Sequence, residues 1–130
     1  MERIVFQKLI EWKDSTNRKP LILNGARQVG KTWLLEQLGD KYFDKVAYLV
    51  CRKNQALKDV FSQDLDTDRI LRALRALSGV DITPGDTLIV LDEVQDIPEA
   101  IESLKYFCED APEYHIAVAG SLLGISLHKD

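Results

Sequence analysis

Cysteine is scarce in this 130-residue chain: it has two, Cys51 and Cys108. No metal-ligand spacing is present, and a reduced pair of thiols in a cytosolic protein is the plain reading. Long apolar runs are also missing. No stretch approaches the length of a membrane span. The opening MERIVFQKLIEWKD has charges throughout and no uninterrupted apolar core, so no signal peptide is expected. Positive charge is not in excess: 17 Lys and Arg face 21 Asp and Glu, a net charge of −4. That argues against a general nucleic-acid surface and leaves at most a local basic patch. No internal repeat, low-complexity tract or linker is visible, and no Cys–His or Ser–His–Asp arrangement can be drawn.

Hydrophobic residues make up 45% of the chain and charged residues 29%, the balance of a soluble globular protein. The length suits one domain over residues 1–130. A chain of this size buries roughly two-thirds of its unfolded surface without disulfide staples. A cytoplasmic location is expected.

Ile4, Val5, Phe6, Leu9, Ile10 and Trp12 recur at helical spacing and predict an amphipathic opening helix. Apolar runs at residues 21–24, 46–50, 88–93 and 114–120 predict strands. Between them, residues 33–38 read as a helix closed by Gly39, and residues 55–61 as a short helix. Asp66 or Thr67 caps a further helix, with Ile70, Leu71, Leu74 and Leu77 as its apolar stripe and Gly79 as its stop. Residues 83–86, TPGD, form a turn. Pro98 suits the first position of a helix running to about Glu109. Strands that alternate with helices and are apolar throughout indicate an α/β fold with a parallel sheet covered on both faces. Right-handed crossovers then gather the strand ends carrying Gly25, Asp92 and Gly120-Ser121 at one edge.

Gly25, Ala26, Arg27, Gln28, Val29, Gly30, Lys31 and Thr32 spell GARQVGKT, a full match to G-x-x-x-x-G-K-[ST] between a strand and a helix. In such a loop backbone N–H groups surround phosphate and the helix N-terminus adds partial positive charge. Lys31 then reaches the β- and γ-phosphates, and the Thr32 hydroxyl holds Mg²⁺. A plain strand-to-helix turn is the competing account of the two glycines. Asp92 and Glu93 end the strand LIVLDE in the form of a Walker B segment. Asp92 can hold Mg²⁺ through water opposite Thr32, and Glu93 is placed to orient and deprotonate a water. Two solvated carboxylates at a strand end are the alternative.

Other residues are open between two uses. Ser121 either senses the γ-phosphate and positions water or serves the Gly120-Ser121 turn. Arg27 is a phosphate contact or a solvated loop arginine, and Trp33 a nucleoside neighbour or a packing residue. Arg69, Arg72 and Arg75 form a basic helical stripe, favoured as a solvated face over a partner contact. His115 reads as structural.

These segments together resemble the N-terminal part of prokaryotic AAA-type ATPases of the STAND-like branch. The likeness is carried by NGARQVGKTWLLEQLG and TLIVLDEVQDIPEAIESLKYFCEDAPEYHIAVAGSLLG, and more weakly by EWKDSTNRKP. It implies a P-loop NTPase fold, a three-layer sandwich with a mostly parallel central sheet. It also implies that residues 25–32 are Walker A, Asp92 and Glu93 are Walker B, Ser121 lies near the sensor-1 position, and the nucleotide is ATP. The strand before Ser121 is expected between the other two motif strands. Cys51-Arg52 departs from the Asn/Phe/acidic stretch of relatives. Relatives also continue past this point into the rest of the core, a lid or winged-helix region and a C-terminal domain. An incomplete core, truncated after the sensor-1 strand, is therefore expected, with an exposed sheet edge at residues 21–24 that invites self-association. The implied activity is Mg²⁺-dependent ATP binding and hydrolysis. The competing readings are a nucleotide-dependent switch with negligible turnover and a small-molecule P-loop kinase.

Overall fold

Valine, isoleucine, leucine and alanine dominate the four segments that become strands, and the two central strands are buried on both faces. In the computed structural model, which describes residues 2–15, 19–24 and 29–121 (for residues 2–6, 24 and 29–32 the backbone alone), they form one parallel sheet. Its strands are β1 (Leu21–Asn24), β2 (Lys45–Val50), β3 (Thr87–Asp92) and β4 (His115–Gly120), in the order β1-β4-β3-β2. Leu21 pairs with Ala117, Leu88 with His115 and Lys45 with Thr87. β4 thus lies between β1 and β3, as the resemblance implied.

Successive strand residues point to opposite faces, and each face has its own core. On one, Leu88 and Val90 of β3 and Ala117 and Ala119 of β4 pack with Leu35 and Leu38 of helix α2 (Val29–Tyr42) and Leu9 of α1 (Glu2–Asp14). On the other, Ile89, Leu91, Ile116 and Val118 meet three helices: α3 (Gln55–Gln63), α4 (Thr67–Ser78) and α5 (Pro98–Asp110). The result is the expected three-layer α/β sandwich.

Helix ends follow local chemistry. Asp66 caps α4, its Oδ2 accepting from the Arg69 N–H at 3.0 Å, and Gly79 ends it in the left-handed region at φ 72°. Asn54 caps α3 in the same way through the Leu57 N–H. Gly39 does not end α2, which continues to Tyr42. An added Cβ at Gly39 would overlap Val46 Cγ2. This glycine is therefore a point of close helix–strand approach, not a stop signal. Leu77 departs from the apolar stripe of α4 and is 42% exposed, while Ile70, Leu71 and Leu74 are buried.

The basic stripe of α4 is only partly a solvated face. Arg69 bonds Asp64 Oδ1 at 2.8 Å, the Asp64 carbonyl at 2.9 Å and the Val60 carbonyl at 2.5 Å. Arg75 reaches the Ile82 carbonyl at 2.9 Å and the Tyr114 hydroxyl at 3.2 Å. Only Arg72 among the three is exposed. His115 is buried at the amino end of β4. Its Nε2 lies 3.0 Å from the Lys13 carbonyl, and its ring meets the edges of Trp12 and Phe43. It is the structural residue expected, fastening α1 to the sheet edge opposite the strand ends discussed next.

Candidate functional site

All four strands run the same way, so their carboxyl ends share one edge of the sheet. There β1 ends at Asn24, β4 at Gly120 and β3 at Asp92. Open parallel sheets bind ligands outside this edge. Gly25, Ala26, Arg27 and Gln28 lie outside the described residues. Val29, Gly30, Lys31 and Thr32 form the first turn of α2, described as backbone. Trp33 follows on that helix and is 45% exposed, so it is not a core residue.

Asp92 has the same strand parity as Leu88 and Val90, so it belongs to the face covered by α2. Tyr48, from the neighbouring strand on that face, donates its hydroxyl to Asp92 Oδ2. The Glu93 N–H donates to Asp92 Oδ1 at 2.9 Å. Both carboxylate oxygens therefore have a protein donor.

The apolar run predicts Glu93 as the last residue of its strand, but β3 ends at Asp92. Glu93 instead adopts φ 55°, ψ 44°, in the left-handed region, and opens a 3-10 turn at Val94–Asp96. Non-glycine residues enter this region at a cost, and strained backbone concentrates at functional sites. The Glu93 Oε1 accepts from Gln95 Nε2 at 2.9 Å, and Gln95 Oε1 accepts from the Ser121 N–H at 3.1 Å. Glu93 and Ser121, both singled out in the sequence, are thus brought together through a third residue.

Two participants escaped the sequence reading. Tyr48 counted only as a strand former, although a hydroxyl on a buried strand requires a partner. Gln95 stood unremarked within the DEVQ run. Among the described residues no group of three or more His, Cys, Asp or Glu side chains could hold a metal by itself. A Mg²⁺ ion keeps several waters and needs one or two carboxylates plus substrate phosphates; Asp92 fits that smaller requirement.

On the far side of this edge, Cys51, Lys53, Asn54, Gln55, Lys58, Asp96 and Ile97 line a cavity of about 360 Å³. The Cys51 thiol is 2% exposed, and its pKa is pushed up to about 12, first by burial and then by the carboxylates of Asp96, Asp92 and Glu93. It is inert at neutral pH.

A parallel sheet between two layers of helices, a helix opening at residue 29 after strand β1, and an acidic strand end on that helix's face define a P-loop NTPase-like α/β domain. The sequence model of a family described as an AAA domain matches residues 17–130, and the chain belongs to that family. It is a nucleotide-binding domain of the AAA type. No curated protein and no solved structure matches the chain. Among the described residues no helix is long and apolar enough to cross a membrane.

Proposed function

We propose that this domain binds ATP with Mg²⁺ and hydrolyses it, acting in the cytoplasm as part of a STAND-like ATPase that carries a further C-terminal domain. The observation that carries the reading is the position of Asp92: at the carboxyl end of β3, on the face of α2, beside a second carboxylate. In this reading residues 25–32 cradle the phosphates through backbone N–H groups. Lys31 neutralises the β- and γ-phosphates, and Thr32 and Asp92 hold the cation. When bound, Mg²⁺ supplies charge neutralisation at the phosphates. Tyr48 orients the Asp92 carboxylate. Glu93 orients the attacking water and takes its proton. Ser121, which directly follows β4, would sense the γ-phosphate or position the water. Trp33, exposed directly after Thr32, reports on bound nucleotide.

Melting experiments with Mg-ATP test this. At ligand about 100-fold above Kd, binding stabilises the fold by about 2.7 kcal/mol. Each kcal/mol raises Tm by about 2–8 °C in domains of this size range. Lys31→Ala is expected to abolish the shift, and Glu93→Gln to keep it while lowering phosphate release. Identical melting of wild type and Lys31→Ala across a wide range of Mg-ATP would overturn the proposal.

A further inference from the structure

Backbone pairing between β3 and β4 ends with Asp92 opposite Ala119. Past that pair, the two strand ends are bridged by the side chain of Gln95. Its Nε2 donates to Glu93 Oε1 at 2.9 Å, and its Oε1 accepts from the Ser121 N–H at 3.1 Å. The amide can lie only one way round. Ser121 offers a backbone donor, which requires the oxygen, and the amino group is then left for an ionised carboxylate, which can only accept. No other side chain of this length offers both. Glutamate would keep the bond to Ser121 and repel Glu93. Asparagine is one methylene short. Methionine fills the space and makes neither bond.

The surroundings are shaped to this amide. Gly120 is buried, and an added Cβ there would overlap Gln95 Oε1 and come within 3.0 Å of the Val94 nitrogen. The left-handed turn at Glu93 and the 3-10 turn that follows return the chain so that residue 95 spans from one strand end to the other. A strained residue, a glycine without room for a methyl group and an amide bonded at both its nitrogen and its oxygen converge on one connection.

We propose that Gln95 is a positioning residue: it holds the Glu93 carboxylate in place and couples it to the backbone at Ser121, where the chain leaves β4. A displacement of Ser121 moves the acceptor of its hydrogen bond, and the opposite end of the same rigid amide carries Glu93 with it. The coupling stands on geometry alone; its consequence for turnover rests on the hydrolytic reading above.

The test uses the full chain, labelled with ¹⁵N, and the variants Gln95→Met, which removes both bonds, and Gln95→Glu, which is close to isosteric and breaks only the link to Glu93. Introducing Glu93→Ala is expected to move the Ser121 amide resonance in the wild-type background and to leave it unmoved in either Gln95 variant. If Gln95→Met fails to fold, Gln95→Glu carries the same comparison. At saturating Mg-ATP, kcat is expected to fall by about 10- to 100-fold in both Gln95 variants, the scale of a misplaced catalytic group. The Mg-ATP melting shift should persist in both. Coupling is overturned if Ser121 responds to Glu93→Ala equally with and without the Gln95 amide. The positioning role is overturned if kcat is unchanged, or if the melting shift disappears together with kcat. If the wild type shows no melting shift with Mg-ATP, the nucleotide reading fails by itself, and the Ser121 response still decides the coupling. The same response decides it if Mg-ATP binds without measurable turnover.

Discussion

The thiol of Cys51 reports on how closed the sheet edge is. It is buried, with the carboxylates of Asp96, Asp92 and Glu93 nearby, and its pKa stands at about 12. Thiolate is the reactive form, and burial with these carboxylates disfavours it at Cys51 relative to an ordinary exposed thiol. Cys108 on α5 is half-buried. Alkylation at pH 8 followed by mass spectrometry is expected to label Cys108 and to spare Cys51 until denaturant is added. Equal labelling of both in the native protein would contradict the burial. At this scale the sequence was a good guide to side-chain type and a poor one to partners. Asp92 and Glu93 were legible as an acidic pair, because four aliphatic residues precede them. Their hydrogen bonds to Tyr48 and Gln95 were not, because the first crosses between strands 44 residues apart and the second depends on the left-handed turn at Glu93.

Gly39 shows how an element can be misread from a correct local rule. Glycine ends helices often enough that its place after Leu38 predicts a stop. The helix continues because this glycine lets α2 approach Val46 of β2. Alanine at a helix interior gains roughly 1 kcal/mol over glycine, whereas overpacking a core contact costs about 1–3 kcal/mol. Gly39→Ala is therefore expected to lower Tm in the wild type and to raise it in a Val46→Ala background. Denaturant titration of the four proteins gives the sign directly, and a gain in both backgrounds would show that no steric conflict exists. The turn before β3 carries a second expectation. Asp86 is held below the usual carboxylate range by the hydroxyls of Thr83 and Thr87, and then by Lys45, 3.9 Å away. A depressed folded-state pKa stabilises above the unfolded value and is lost as pH falls through the folded one. The Tm gap between wild type and Asp86→Asn is thus expected at pH 7 and should narrow below about pH 4. A gap that stays constant from pH 7 to pH 3 would rule this out.

For the whole molecule, the sheet edge at β1 governs association. Among the described residues β1 pairs with β4 alone, and Ile22 on it is 39% exposed. An exposed edge strand with apolar side chains is a template for pairing with another chain, and an edge lysine blocks it. Sedimentation at high concentration is expected to show self-association of the wild type that Ile22→Lys reduces. A clean monomer in both would count against it. That β1 is last in the order among the described residues was implied by family resemblance, since hydrophobic pattern names strands but not their neighbours.

Composition and pattern by themselves determined that there are four strands, the α/β class and the burial of the two central strands on both faces. A strand buried on both sides has to be apolar at every position, and that requirement is written locally. The caps at Asp66 and Gly79 were local too, since each is satisfied within one helical turn. Tertiary structure alone decided the bridge from Glu93 through Gln95 to Ser121 and the contact of Gly39 with Val46. Both depend on where separate strand ends and helix faces come to rest. A hydrogen bond between residues 26 positions apart, or a steric limit on one glycine, exists only once packing has brought its partners together.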